Sequence, residues 1–131
     1  MATSIKQMMD EANAAVPRIS AAEAAAMAAA GNTVIIDVRD APEVERSGHV
    51  AGALHISRGM LEFRADPQSP YYDKRLSPEA SIVLYCASGG RAALGGKVLK
   101  DMGYAKVFNL GAFKDWQEAG LAVAREIEPG M

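Results

Sequence analysis

Cysteine is almost absent from this 131-residue sequence, and Cys86 is its single thiol. One cysteine excludes a disulfide within the chain, a Cys-x-x-Cys redox centre and any zinc site that needs two thiolates from one chain. Histidine is nearly as scarce, with two residues, His49 and His55. A cysteine protease or acyl-transfer enzyme needs a histidine base beside its thiol, and these two are the only candidates in the sequence.

An excess of one charge is also lacking, because 14 lysines and arginines face 16 aspartates and glutamates. Without a basic stripe, nucleic acid is a poor candidate partner, and without an acidic block nothing argues for disorder. The most apolar run, Ala21–Ala30, contains Glu23 and is too short to span a bilayer. No secretory signal is visible at the start. We therefore expect a cytoplasmic protein that binds neither membrane nor nucleic acid and holds no metal or cofactor.

What the sequence does contain is a regular alternation of strand and helix patterns. Two runs of consecutive apolar residues, Val34–Ile36 and Ile82–Leu84, are typical of strands that are covered on both faces. Strands are predicted at 33–38, 53–56, 81–85 and 106–110, and helices at 3–15, 21–30, 40–47, 60–65, 91–102 and 112–119, with an ordered loop at 66–78. This alternation predicts an α/β domain with a mainly parallel central sheet flanked by helices.

The single cysteine lies at the point where such a sheet carries its site, beyond the carboxyl end of a strand. It follows the 81–85 strand directly and is separated from the next helix by a short loop of small residues. The loop residues are Ala87, Ser88, Gly89, Gly90 and Arg91. Converging backbone N–H groups, the positive end of the helix and the arginine each favour an anion, so they favour a thiolate, a persulfide or a bound oxyanion.

The alternative reading of a lone cysteine in an α/β protein is a small, inert core residue. The strand-to-helix position, the two glycines and Arg91 argue against it here.

At this loop the chain resembles a single-domain rhodanese, a sulfurtransferase. The matching stretches are Asp37-Val38-Arg39-Asp40, Gly48-His49-Val50-Ala51-Gly52-Ala53, Cys86 to Arg91, and Asn109-Leu110-Gly111 through Trp116. Together they cover about residues 18 to 123 in the expected order. The resemblance implies a rhodanese-like three-layer fold. Two positions depart from the common pattern: Ala92 stands where many members have Ser or Thr, and Asp40 where many have Glu.

The resemblance also implies a mechanism. Cys86 would attack the outer sulfur of thiosulfate or a similar small anionic donor, sulfite would leave, and the resulting persulfide would pass its sulfur to a thiol, cyanide or protein acceptor. The loop amides from Ala87 to Arg91 would hold the persulfide, and Ser88 would donate a hydrogen bond to the sulfur. Asp37 and Arg39 would form a supporting polar network. Apart from the resemblance, Arg58 and Arg64 flank a short apolar segment, and two interpretations of them stay open: they line the entrance and attract anionic donors, or they are solvated surface charges.

Two other functions stay open. In one, the domain is a binding module whose Cys86 accepts sulfur only from a partner or senses oxidants. In the other, it is a phosphatase or arsenate reductase. Phosphatases of the resembling fold have a Cys-x5-Arg loop, which is one residue longer than the Cys-x4-Arg loop of this chain.

Three parts of the chain are expected: an N-terminal helical extension at 1–16, the rhodanese-like domain at 17–125 and a C-terminal tail at 126–131. The N-terminal helix either packs on the domain or joins two subunits in a homodimer.

Overall fold

A central parallel sheet organises the protein in its computed structural model, which describes residues 2–126. The strands are β1 (Thr33–Asp37), β2 (His49–Val50), β3 (Leu54–His55), β4 (Ser81–Cys86), β5 (Lys106–Ala112) and β6 (Val123–Ala124). Four of them pair in parallel in the order β3-β1-β4-β5. The other two, β2 and β6, form a small antiparallel pair.

The described part of the chain forms six helices. They are α1 (Ile5–Ala15), α2 (Ala21–Ala30), α3 (Ala41–Ser47), α4 (Leu61–Ala65), α5 (Gly90–Asp101) and α6 (Phe113–Glu118), with a 3₁₀ turn at Arg58–Met60 before α4. The start of α2 shows why these positions are predictable. Ser20 Oγ accepts from Glu23 N–H at 3.0 Å and the Glu23 carboxylate accepts from Ser20 N–H at 2.9 Å, a reciprocal cap.

Three layers result because both faces of the sheet are apolar. Along β4, Ile82, Leu84 and Cys86 join one buried cluster, which also contains residues of α4 and α5. Val83 and Tyr85 point the other way, into a cluster with residues of α2 and α6. The alternation explains why the strand reads as a continuous apolar run, and the predicted α/β three-layer architecture is confirmed.

Strand β5 differs from the predicted strand, which ended at Leu110. It continues to Ala112 through a bulge: Leu84 pairs with Asn109, whereas Tyr85 pairs with Gly111, so Leu110 is an extra residue. A bulge re-aims the side chains beside it, and this one lies next to the end of β4. The β2–β6 pair was not predicted, because its two strands are distant in the sequence and a local pattern does not reveal which segments pair.

Helix α1 packs on its own domain against α5. Ala12 and Val16 are buried, while Ile5 and Met8 on the same helix are exposed. The division of the chain between residues 16 and 17 stays a prediction. The formation of a homodimer also stays a prediction. The predicted tail at 126–131 lies outside the described residues except for Glu126.

None of the helices in the described part of the chain is both long enough and apolar enough to cross a membrane.

Candidate active site

Cys86 is the last residue of β4, at the carboxyl end of the central sheet. Its side chain is a free thiol and only 1% exposed. The sulfur is therefore held at the bottom of the loop that follows, on the α5 side of the sheet. The predicted position of the cysteine is the one that the structure shows.

The loop turns back over the sulfur at Gly89. The backbone N–H of Gly89 donates to Cys86 Sγ at 3.0 Å. Gly89 has a φ of 102°, a left-handed conformation that a side chain would strain, so glycine is required for this turn. Helix α5 begins at the next residue and runs for 12 residues, and the positive end of its dipole therefore lies at the loop.

The remaining loop residues lie at the surface. Ala87 and Ser88 are exposed. Within residues 2–126, the hydrogen bond to the sulfur comes from Gly89 and none comes from the Ser88 hydroxyl. The role suggested for Ser88 is thus taken by a backbone amide in this structure.

Asn109 braces the loop from the neighbouring strand. Its amide nitrogen donates to the Gly89 carbonyl at 3.1 Å, and its amide oxygen accepts from Gly111 N–H at 2.8 Å. The side chain is 1% exposed. Because the β5 bulge turns Gly111 back toward Asn109, one buried amide satisfies a backbone group on each of two segments.

Arg91, in the first turn of α5, is held by Glu43 of α3. Both terminal nitrogens reach the carboxylate, at 2.7 and 2.9 Å. This hydrogen bonding by Arg91 lowers the pKa of Glu43 to about 2. In turn, the carboxylate raises the pKa of Arg91 above its usual value. The arginine charge that was expected to attract an anionic donor is therefore offset by a neighbouring carboxylate.

Asp37 and Arg39 form a buried ion pair at the end of β1. Arg39 Nη2 lies 2.7 Å from Asp37 Oδ2 and also donates to the Gly48 carbonyl at 2.7 Å. The guanidinium stacks over the Phe113 ring at 4.6 Å. Tyr85 lies beside this pair, and burial raises the pKa of its hydroxyl well above its usual range. The network links the end of β1 to the end of α3 and to α6, an arrangement that suits a supporting role.

Arg58 and Arg64 are both engaged by carboxylates. Arg58 Nη1 lies 2.8 Å from Glu62 Oε1, and Arg64 Nη2 lies 2.9 Å from Asp73 Oδ2. Arg58 also lines a groove of about 210 Å³ between α1 and α5. No hydrogen bond or ion pair in the described part of the chain joins either arginine to Cys86 or its loop. Their part in the entrance stays a prediction.

Both histidines contact backbone carbonyls. The ring nitrogens of His49 lie 2.7 Å from the Val50 oxygen and 2.6 Å from the Glu126 oxygen, and His55 Nε2 lies 2.7 Å from the Arg39 oxygen. In residues 2–126, neither histidine is hydrogen-bonded to the sulfur. Neither histidine is therefore placed to act as a base toward Cys86.

The sequence patterns did not indicate two of these residues. Glu43 reads as part of a helix cap, and it does accept from Asp40 N–H at 2.9 Å, but its pairing with Arg91 spans 48 positions of the chain. Asn109 belongs to a matching stretch, yet nothing in that stretch signals a contact with Gly89. Both contacts arise because the carboxyl ends of parallel strands meet at one edge of the sheet.

The fold and the site define a class: an α/β domain that presents one cysteine in a short loop between a parallel strand and a helix. A comparison with known families gives the same result, since the rhodanese-like domain family matches residues 20–119. The chain belongs to the rhodanese-like domain family.

Solved structures of similar proteins include two sulfur-transferring proteins. One is the polysulfide-sulfur transferase homodimer of Wolinella succinogenes, with 31% identity and a TM-score of 0.74, covering 91% of this chain and 85% of that one. Another is a human single-domain sulfurtransferase, with 27% identity and a TM-score of 0.67, covering 79% and 96%. A third, from Rhodopseudomonas palustris, is a protein of unknown function described as a possible tyrosine phosphatase. It has 40% identity and a TM-score of 0.86, covering 95% and 96%.

Proposed function

We propose that this protein is a sulfurtransferase that moves a sulfane sulfur from thiosulfate or a similar anionic donor to a thiophilic acceptor through a Cys86 persulfide. Membership of the rhodanese-like family and similarity to sulfurtransferases support sulfur transfer in general. The observation that carries the finer proposal is the Gly89 N–H bond to the sulfur at 3.0 Å, at the start of α5. A hydrogen-bond donor that points at Sγ stabilises a thiolate, the form of cysteine that attacks a sulfur donor.

The first half of the reaction is a displacement at sulfur. The Cys86 thiolate attacks the outer sulfur of thiosulfate, a bond forms between the two sulfurs, and the sulfur–sulfur bond of the donor breaks. Its electron pair leaves with sulfite, and no proton is transferred. In the second half, a thiolate or cyanide attacks the outer sulfur of the persulfide and regenerates Cys86 as thiolate.

The acceptor must be external. A second thiol in the chain would resolve the persulfide as a disulfide, but Cys86 is the single cysteine of the sequence. The outer sulfur therefore leaves to a small thiophile or to a partner protein.

Intact-mass measurement after incubation with thiosulfate tests this proposal. The wild-type protein is expected to gain the mass of one sulfur atom at Cys86 and to form thiocyanate on addition of cyanide. Cys86→Ser is expected to do neither, while Asn13→Ala, an exposed change in α1, serves as the matched control. Full activity in the serine variant would rule the mechanism out.

A protein that reacts rapidly with a persulfidated protein donor but not with free thiosulfate would instead be a partner-dependent carrier. Incubating the protein with each of these two donors separates the two functions, because both are measured as sulfur added to Cys86.

A phosphatase is the second candidate, since the 40% identical structure from R. palustris is described as a possible tyrosine phosphatase. Two features argue for sulfur. The loop is Cys-x4-Arg, and both terminal nitrogens of Arg91 are bound by Glu43 rather than open to a phosphate. Hydrolysis of an aryl phosphate that depends on Cys86, in the absence of sulfur transfer, would decide for the phosphatase.

A further inference from the structure

Arg18 is held beside the Cys86 loop by backbone pairing with β5. Asn109 N–H donates to the Pro17 carbonyl at 2.9 Å, and Ile19 N–H donates to the Asn109 carbonyl at 3.1 Å. Arg18 is thereby bridged in parallel to Asn109, the residue that braces the loop. Its backbone position is fixed at the edge of the sheet where the reactive sulfur lies.

The guanidinium of Arg18 rests against two glycines of the site. A Cβ atom placed on Gly111 would lie 2.2 Å from Arg18 Nη2, and one placed on Gly89 would lie 3.4 Å from Nη1. Gly111 has a φ of 94° and Gly89 a φ of 102°, so both are conformations that favour glycine. The side chain thus lies over the residue whose N–H group donates to Cys86 Sγ.

Unlike its neighbours, this guanidinium is not neutralised. Arg39 and Arg91 are each paired with a carboxylate at 2.7 Å. Arg18 is exposed, and within residues 2–126 its side chain has neither a hydrogen bond nor an ion pair. A guanidinium carries five N–H donors in a planar fork that suits oxyanions, and those of Arg18 are open.

The proposed reaction needs such a charge. A thiolate and a thiosulfate dianion together bring three negative charges to the loop, while the charge of Arg91 is offset by Glu43. We propose that Arg18 is a specificity residue that binds the oxygen-bearing end of the anionic sulfur donor and the sulfite that leaves from it. This inference rests on the proposed sulfur transfer and adds the group that selects the donor by charge.

Steady-state kinetics of Arg18→Gln and Arg18→Lys provide the first test. With thiosulfate, the glutamine variant is expected to raise KM about tenfold with little change in kcat, since one charge-assisted contact to the donor is lost. The rise is expected to be smaller with methanethiosulfonate, which carries one negative charge instead of two. The lysine variant should keep most of the affinity, and Arg46→Gln, an exposed change in α3 that removes the same charge, should match wild type.

Alkylation of Cys86 provides a second test that does not depend on sulfur transfer. The ratio of the rate with iodoacetate to the rate with iodoacetamide compares an anionic and a neutral reagent of similar size at the only thiol. Arg18→Gln is expected to lower this ratio several-fold, and Arg18→Lys to preserve it. A merely structural effect on the loop would change both rates together and leave the ratio unchanged.

The outcomes separate the two proposals. A wild-type protein that never acquires sulfur from any donor overturns the proposed function, and the donor-binding role of Arg18 falls with it. Wild-type turnover with an unchanged KM and an unchanged alkylation ratio in Arg18→Gln overturns the role of Arg18 alone.

Discussion

Replacing Asn109 by alanine removes the brace between β5 and the Cys86 loop. The side chain makes two hydrogen bonds, to the Gly89 carbonyl at 3.1 Å and from Gly111 N–H at 2.8 Å, and it is 1% exposed. Alanine can replace neither bond. Gly111 N–H would then be left without this partner in a buried position unless water enters the gap. The Gly89 carbonyl would keep the hydrogen bond that it accepts from Ala93 N–H at 2.9 Å.

The size of the effect follows from these two bonds. The unsatisfied buried donor of Gly111 costs about 1–3 kcal/mol and the lost bond to Gly89 about 0.5–1.5 kcal/mol, so the total is about 2–4 kcal/mol. Small domains have a total free energy of unfolding of about 5–15 kcal/mol, so the loss is a large share. Because Gly89 also donates to Cys86 Sγ, a loosened loop is expected to slow persulfide formation as well.

Urea unfolding measures the first effect and the rate of sulfur uptake measures the second. With a slope of about 1–3 kcal/mol per molar urea, the midpoint of Asn109→Ala should fall by at least about 0.7 M. The control is Asn13→Ala, which lies on an exposed face of α1 and should change little. A midpoint for Asn109→Ala that equals the control, with an unchanged rate of sulfur uptake, would refute the role of the brace.

Three other changes test the packing and charge around the site. Because the pKa of Glu43 is lowered to about 2 by Arg91, its contribution to stability is full above about pH 5 and is lost as pH falls toward 2. Glu43→Gln should therefore flatten the fall in urea midpoint over that pH range. A urea midpoint that falls as steeply with pH in the variant as in the wild type would contradict the pairing. Arg39→Met leaves the buried Asp37 carboxylate unpaired and should cost about 3–5 kcal/mol, measured by urea unfolding. Gly96→Ala places a Cβ 3.0 Å from two Val16 methyls and should lower the free energy of unfolding by about 1–3 kcal/mol. Gly90→Ala, in the same helix, meets open space and should not lower it. Equal thermal midpoints for the two variants would argue against tight packing between Gly96 and Val16.

Local patterns determined much of the secondary structure. The reciprocal cap of Ser20 and Glu23 and the glycine after Ala30 fixed both ends of α2 at the predicted residues. The apolar run at Ile82–Leu84 marked a strand buried on both faces, and the alternation of strands and helices implied the parallel sheet. These features depend on residues within a few positions of one another, so local sequence patterns are enough to predict them.

The β5 bulge shows where this reading fails. Gly111 looks like the end of a strand, yet β5 continues past it. The Gly111 N–H donates to the Asn109 side chain, and β4 pairs with the residues on both sides of the extra residue, Leu110. The pairing partner, not the local sequence, sets the length of this strand.

By itself, the sequence determined that one cysteine lies in a small-residue loop between a buried strand and a helix. It also determined that no second thiol of the chain could take a sulfur atom from a persulfide at that cysteine. The charges around that cysteine were decided only by the tertiary structure. Glu43 neutralises Arg91 from 48 positions away, and Arg18 reaches the loop across β5 from 71 positions before Gly89. Such contacts depend on which strand ends share an edge of the sheet, and that arrangement is set by the packing of the whole domain.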